Sequence, residues 1–234
     1  MELNIFLPME LDHIFIFTQK HDRLADSLKA FGLSEGTPNT HSGQGTACRR
    51  FFFHNAYLEL VWIANEEEAR NSAFAKAKLW ERSQYHFTNY CPFGLCFRTK
   101  SQPGKPFTLL FDDGWRYYSP FLPEGQFANI APNESFATEP LLFEMPFFGI
   151  APDDYPLGKQ QILEHARGFE EVTSVSLTLP ITTNSLSTAM KKVLRKSIVS
   201  VSEGEEYFVI LELDGGRTEE TQTFFPLAPL TLKW

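Results

Sequence analysis

Apolar positions recur along this chain with two periods, and the switches between them mark its elements. LDHIFIF at 11–17 is dense in β-branched and aromatic residues and predicts a strand buried on both faces. Leu24, Leu28 and Phe31 then keep helical spacing, with Gly32 placed to close the helix in a left-handed cap. GLSEGTPNTHSGQG predicts turns around one short strand, and ACRRFFF (47–53) with YLELVWI (57–63) predicts a hairpin across His54, Asn55 and Ala56. The resulting order is βαβββ.

Asn65 stands where a helix cap belongs, and EEEARNSAFAKAKLWER after it carries acids early and bases late, predicting one helix. FGLCFRT (93–99) and PLLFEMP (140–146) predict further strands. EVTSVSLTLP (171–180), a helix over NSLSTAMKKVL (184–194), then SIVSV, EYFVILEL and PLTLKW predict a second βαβββ series. The expected fold class is α+β, with two βαβββ units forming curved mixed sheets around a cleft. The expected division is 1–98 for the first unit with its connecting helix, 99–169 for an irregular covering segment with extra strands, and 170–234 for the second unit.

Nine of the fifteen prolines fall between 99 and 169. Proline alone would suggest a disordered linker. The same stretch holds Trp115, Tyr117, Tyr118, Phe121, Phe127, Phe136, Phe143, Phe147 and Phe148, so it reads as an ordered cover packed on something.

Composition narrows the function classes. The 234 residues, 43% of them hydrophobic, suffice for a sizeable core. A net charge of -8 repels phosphate backbones and anionic membranes, which argues against nucleic-acid and membrane partners. The one basic cluster, KKVLRK at 191–196, sits where a helix ends and cations suit the dipole. The first residues lack a basic leader region, no run reaches about eighteen apolar residues, and three cysteines fit a reducing compartment, so the expected location is the cytoplasm. Cys91 and Cys96 have the wrong spacing for a zinc knuckle and read as buried thiols.

The candidate chemistry starts from a carboxylate out of place. On a strand Glu59 shares one face with Tyr57, Val61 and Ile63, and Leu58, Leu60 and Trp62 take the other. A buried carboxylate without partners costs several kcal/mol, so an arginine, hydrogen-bond donors or a cation must compensate it. His13 shares its face with Leu11, Phe15 and Phe17 by the same count. A converging imidazole and carboxylate suit zinc, manganese, iron or nickel. His21, His54 and His86 read as surface residues.

LDHIFIF followed by a helix, then HSGQGTACRRFFFHNAYLELVWI, resembles the glyoxalase-like branch of the vicinal oxygen chelate superfamily. That resemblance implies a histidine or glutamine from the first strand of each unit and a glutamate from its last, with a divalent metal that holds substrate through adjacent oxygens. His13 and Glu59 match the first unit's pair. In the second unit the corresponding places fall near Ser174 and Leu230, neither a ligand, and Glu212 lies on the preceding strand. His165 resembles the family's histidine at the boundary and joins His13 and Glu59 as an expected metal ligand. His41 is expected at the mouth of the pocket, with Gln44 and Arg49 fixing a polar ligand and Gly43 and Gly45 letting backbone approach it.

The expected function is a metal-dependent glyoxalase-like enzyme acting on a small oxygen-rich metabolite, by lyase, isomerase or dioxygenase chemistry. The same resemblance leaves open a metal-free module that binds small molecules or sequesters an antibiotic. A third reading makes His13 and Glu59 a structural pair, held by each other or by Arg49. The expected partner is a small-molecule ligand, with a homodimer left open.

Overall fold

The computed structural model describes residues 9–19, 23–98, 109–120, 122–146, 149–182 and 185–234. Phe121, Phe147 and Phe148 of the expected cover, and His21, lie outside the described residues.

The chain runs through β1 (Glu10–Phe17), α1 (Leu24–Phe31), β2 (Asn39–His41), β3 (Thr46–Phe52) and β4 (Tyr57–Ile63) in the predicted βαβββ order. Gly32 closes α1 at φ 118°, its N–H returned to Leu28 and Lys29. Then come α2 (Glu66–Asn71), α3 (Leu79–Ser83) and α4 (Tyr85–Thr88), where one helix was expected. Asn65 does cap α2, accepting the Glu68 N–H. The run breaks because tertiary bonds outweigh propensity: Lys78 takes a left-handed conformation at φ 61°. That turn lets the buried Arg82 donate to the carbonyls of Ala77, Cys91 and Glu139.

β5 (Phe93–Arg98), β6 (Trp115–Tyr117), β7 (Ala128–Ile130) and β8 (Leu141–Glu144) follow, then β9 (Val172–Leu179), α5 (Thr188–Lys196), β10 (Val199–Glu203), β11 (Phe208–Leu213), β12 (Thr221–Thr223) and β13 (Leu230–Lys233). Eight strands form one sheet in the order β2-β3-β4-β1-β5-β8-β7-β6, and five form another in the order β10-β9-β11-β13-β12. The class is α+β with two mixed sheets, as expected.

The strand wiring regroups the segments. In the eight-stranded sheet β1 runs parallel to β4 and β5 parallel to β8, and β1 and β5 meet antiparallel. The half β5-β8-β7-β6 therefore repeats the wiring of β1-β4-β3-β2. The repeat of the first unit lies in 93–144: β5 closes the stretch expected to be the first unit, and β6, β7 and β8 lie in the one expected to be an irregular cover. Residues from 172 on open with the same β-α-β series but are wired differently, because β9 sits between β10 and β11.

Two faces of the large sheet have separate jobs. One face sends Ile14, Ile16, Leu58, Leu60, Leu95 and Phe97 into a core shared with Val175, Leu177, Leu211 and Leu230 of the second sheet and with α1 and α5. Each such side chain contributes roughly 1.5–3 kcal/mol by leaving water. The joint is also stitched by hydrogen bonds: the Asn55 amide exchanges bonds with the backbone of Val172 at 2.8 and 2.9 Å. Glu139 accepts from the N–H and hydroxyl of Ser187, both at 2.6 Å, at the start of α5. The other face, with Phe15, Phe17, Val61, Tyr117 and Ile130, surrounds a cavity. Among the described residues no helix is long and apolar enough to cross a membrane, and all three cysteines are buried and free.

Candidate functional site

The cavity holds about 770 Å³ and is lined from β1, β2, β3 and β4 on one side and β6, β7 and β8 on the other. Among the described residues none after 161 lines it. The cleft thus lies between the two halves of one sheet, not between units 1–98 and 170–234.

A local irregularity places its histidine. The β1–β5 register slips between Leu11, opposite Phe97, and His13, opposite Cys96, so Asp12 is an extra residue. Leu11 consequently turns into the core while His13, Phe15 and Phe17 face the cavity side, correcting the expectation that Leu11 and His13 share a face. The bulge also lets Asp12 reach its neighbour: Asp12 Oδ1 lies 2.7 Å from His13 Nδ1, and its Oδ2 lies 3.4 Å from Arg98 Nη1. The tautomer in which Nδ1 donates to Asp12 is the one that turns the Nε2 lone pair toward the cavity. Tyr57 stacks on the ring at 4.5 Å and Phe143 meets it edge-on at 5.4 Å.

Glu59 arrives on the cavity face of β4 as the alternation predicts, only 5% exposed. Its Oε2 lies 3.9 Å from His13 Nε2, and its Oε1 accepts from the Cys48 thiol at 3.5 Å. Burial and the neighbouring Glu59 charge push the Cys48 thiol far up, so it is a neutral donor. No arginine among the described residues forms an ion pair with Glu59, which rules out the pairing with Arg49.

His41 also lines the cavity, with Nδ1 3.0 Å from the Thr46 hydroxyl. Burial lowers its pKa, so at neutral pH it is an uncharged imidazole. Ligand atoms of His41, Cys48 and Glu59 lie within 4.8 Å of one another, as do those of Asp12, His13 and Cys96. Asp12 is already committed to His13 and Arg98. The donors lining the cavity are therefore His13, His41 and Glu59, with the buried Cys48 thiol bonded to Glu59, and imidazole with carboxylate suits zinc, manganese, iron or nickel.

The hairpin carrying His41 is tied down from behind. Gly43 donates its N–H to Glu68 at 2.9 Å, and the Gly45 carbonyl accepts from Ala64 and Asn65. A Cβ on Gly45, at φ 76°, would stand 2.4 Å from the Asn65 carbonyl oxygen. The close backbone approach that Gly45 permits is thus to α2, and Gly43 makes room for the Pro120 ring. Gln44 lines the cavity as expected.

Two expected site residues lie elsewhere. Arg49 points to the opposite face from Arg50 and is held by Glu35 through two 2.6 Å bonds and by Asp26 at 3.2 Å. His165 packs on Phe53 at 4.7 Å and accepts the Ser34 N–H at 3.0 Å, on the core side of the sheet. Its place before β9 matched a unit boundary that the wiring puts elsewhere. Arg50, by contrast, lines the cavity and is the cross-strand partner of Glu59. The structure leaves four residues, 53–56, between Phe52 and Tyr57 and so sets Arg50 opposite Glu59, whereas the expected three-residue turn over 54–56 would have set it opposite Leu60.

The second half of the sheet offers no matching ligands. β5 and β8 present Gly94, Cys96, Leu141 and Phe143 to the cavity side, with no imidazole or carboxylate among them. A Cβ on Gly94 would fall 2.1 Å from the Phe15 ring, so that glycine makes room for the ring. Glu144 faces away, its Oε1 accepting from the N–H groups of Leu110 and Phe111 and from Asn129.

Residues 11–104 match the family model of the glyoxalase-like domain. A hypothetical protein from Staphylococcus aureus superposes with a TM-score of 0.61 at 10% identity, covering 96% of this chain and 99% of that one, which shows a common fold. Methylmalonyl-CoA epimerase from Mycobacterium tuberculosis overlaps at a TM-score of 0.36 and 14% identity, over 62% of this chain and 91% of that one. A fusion of a xylose isomerase-like barrel with 4-hydroxyphenylpyruvate dioxygenase overlaps at 0.47 and 12% identity, over 92% of this chain and 39% of that one. These two overlaps carry no argument about chemistry. No curated protein matches the sequence. The resemblance of LDHIFIF and YLELVWI to glyoxalase-like proteins is borne out by the family-model match over residues 11–104.

Proposed function

We propose that this protein is a metal-dependent glyoxalase-like enzyme acting on a small oxygen-rich metabolite, with His13, His41 and Glu59 as the protein ligands. The carrying observation is the 3.9 Å approach of His13 Nε2 to Glu59 Oε2 at a buried wall of the cavity, without an arginine to balance the carboxylate. Donors sharing one cation through bonds of about 2.0–2.2 Å stand roughly 3–4.5 Å apart, so the His13–Glu59 spacing suits a shared cation. His41 replaces His165 in the ligand set because it shares the cavity with Glu59.

A divalent cation bound there would polarise adjacent carbonyl or hydroxyl oxygens as a Lewis acid. The chain's own residues supply the rest. Asp12 holds the His13 tautomer and orientation, a carboxylate behind a ligating imidazole. Glu59 is the carboxylate placed to take or return a proton, which suits lyase and isomerase chemistry. Two imidazoles and one carboxylate around iron would suit dioxygenase chemistry.

One observation favours a second reading, a metal-free binding module: β5 and β8 add no ligand, and the cavity is walled by Phe15, Phe17, Tyr57, Phe74 and Phe143. One experiment separates the two. Zinc, manganese, iron(II) and nickel are titrated into tag-free protein while thermal unfolding is followed, since a ligand of the folded state raises the midpoint with concentration. The enzyme reading expects at least one cation to raise the wild-type midpoint and none to raise that of His13→Ala. An unmoved wild type selects the binding module.

A further inference from the structure

Arg50 stands out among the arginines whose surroundings are described. Arg49 is neutralised by Glu35 and Asp26, Arg98 by Asp12 and Glu10, and Arg82 is consumed by three carbonyls. Arg50 reaches into the cavity with its Nε donated to the Thr37 carbonyl at 2.8 Å and its guanidinium 5.0 Å from the Phe52 ring centre. Those two contacts fix the plane of the fork. They leave its terminal nitrogens without an acceptor among the described residues, and no carboxylate there comes within ion-pair distance. A fixed, planar fork with free N–H groups matches the two oxygens of a carboxylate better than a point charge would.

The surroundings add a direction. Arg50 lies opposite Glu59 in the β3–β4 register, so its fork and the His13–His41–Glu59 cluster share one wall. Tyr155 also lines the cavity, in ring contact with Phe52 below the guanidinium. Away from this polar wall, Phe17, Phe74, Leu79 and Leu141 make the other end apolar.

We infer that Arg50 is a specificity-determining residue that anchors a carboxylate, and that the cavity takes an amphipathic carboxylic acid whose apolar body lies along the aromatic wall. This deepens the proposed function by giving the substrate a chemical class, and it rests on that reading for the vicinal oxygens beside the acid. The anchor itself is independent of a metal. A phosphate monoester, with three terminal oxygens and a higher charge, asks for more donors than one fork supplies.

The test uses 4-phenylbutanoate, its neutral amide 4-phenylbutanamide, and phenyl phosphate, titrated calorimetrically into the full chain in EDTA. The carboxylate is expected to bind the wild type at least tenfold more tightly than the amide, about 1.4 kcal/mol. Arg50→Gln should abolish that preference while moving the amide less than about twofold, and Arg50→Lys should keep part of it as a point charge. The inference is overturned by equal binding of acid and amide, by no binding of either, by tighter binding of phenyl phosphate, or by a preference that appears only after a divalent cation is added. The wild-type comparison stands even if a variant fails to fold. Failure of the metal reading shows separately, as a midpoint that no cation moves, and leaves the carboxylate preference in EDTA intact.

Discussion

His13 and Glu59 approach to 3.9 Å although they are not register partners: His13 lies opposite Tyr57, and Glu59 lies opposite Phe15. The contact is a diagonal one across parallel strands, made possible because Tyr57 and Phe143 hold the imidazole from the side and the edge. A Glu59→Gln change keeps the volume and removes the charge. It is expected to weaken the most strongly bound cation at least tenfold, or about 1.4 kcal/mol, in a titration followed by thermal unfolding. Equal cation response in both proteins would remove Glu59 from the ligand set.

Asp12→Asn tests the residue behind the imidazole. The amide can still touch Nδ1, but it no longer fixes the tautomer, and Arg98 loses one carboxylate partner. Cation affinity should fall about 10- to 100-fold, the usual effect of losing an outer partner of a ligating histidine. Calorimetric titration reads this directly, and affinity unchanged within twofold would count against it.

Gly45→Ala should cost about 1–3 kcal/mol of stability, because it combines a left-handed backbone with a Cβ placed against the Asn65 carbonyl and the Ala69 N–H. Denaturant unfolding measures the loss. Cation affinity should fall along with stability, since the same hairpin carries His41.

The pH dependence of stability has a named contributor in His165. Burial lowers its pKa, so the folded state binds the proton less readily than the unfolded chain does. Stability is therefore expected to fall as pH drops below the ordinary histidine value near 6.5, and to stop falling below the lowered folded value. Buried Glu144, with its pKa raised by burial, contributes with the opposite sign at lower pH. Comparing unfolding free energies of wild type and His165→Gln isolates the histidine: the variant can still accept the Ser34 N–H but should show the shallower decline.

The first unit was legible because its signals are local. Alternation in YLELVWI placed Glu59, and the glycine after Phe31 ended α1 where the structure ends it. The second half of the large sheet was not, because β6 and β7 are three residues each and carry almost no periodicity. Strand wiring is also absent from element order: β9, α5 and β10 open like the first unit, and only pairing reveals that β9 lies between β10 and β11. The sequence does not separate Arg50 from Arg49, because ACRRFFF is apolar on both sides and the hairpin register depends on a turn that holds four residues rather than the expected three. The bulge at Asp12 is not legible in the sequence, since an extra residue in a strand leaves no trace in an apolar run.

The bulge at Asp12 has a genetic consequence. Along β1 successive side chains enter different compartments: Ile14 and Ile16 the shared core, Phe15 and Phe17 the wall of the cavity. Single substitutions walked down this strand should therefore alternate in phenotype, one lowering the yield of folded protein and the next leaving yield but altering ligand response. The rhythm should slip by one position at Asp12, so that Leu11 behaves like Ile14 rather than like its second neighbour His13. A deletion of Asp12 would restore an unbroken rhythm with Leu11 still in the core and His13 still on the cavity wall, so it should spare both compartments and remove only the carboxylate behind the imidazole.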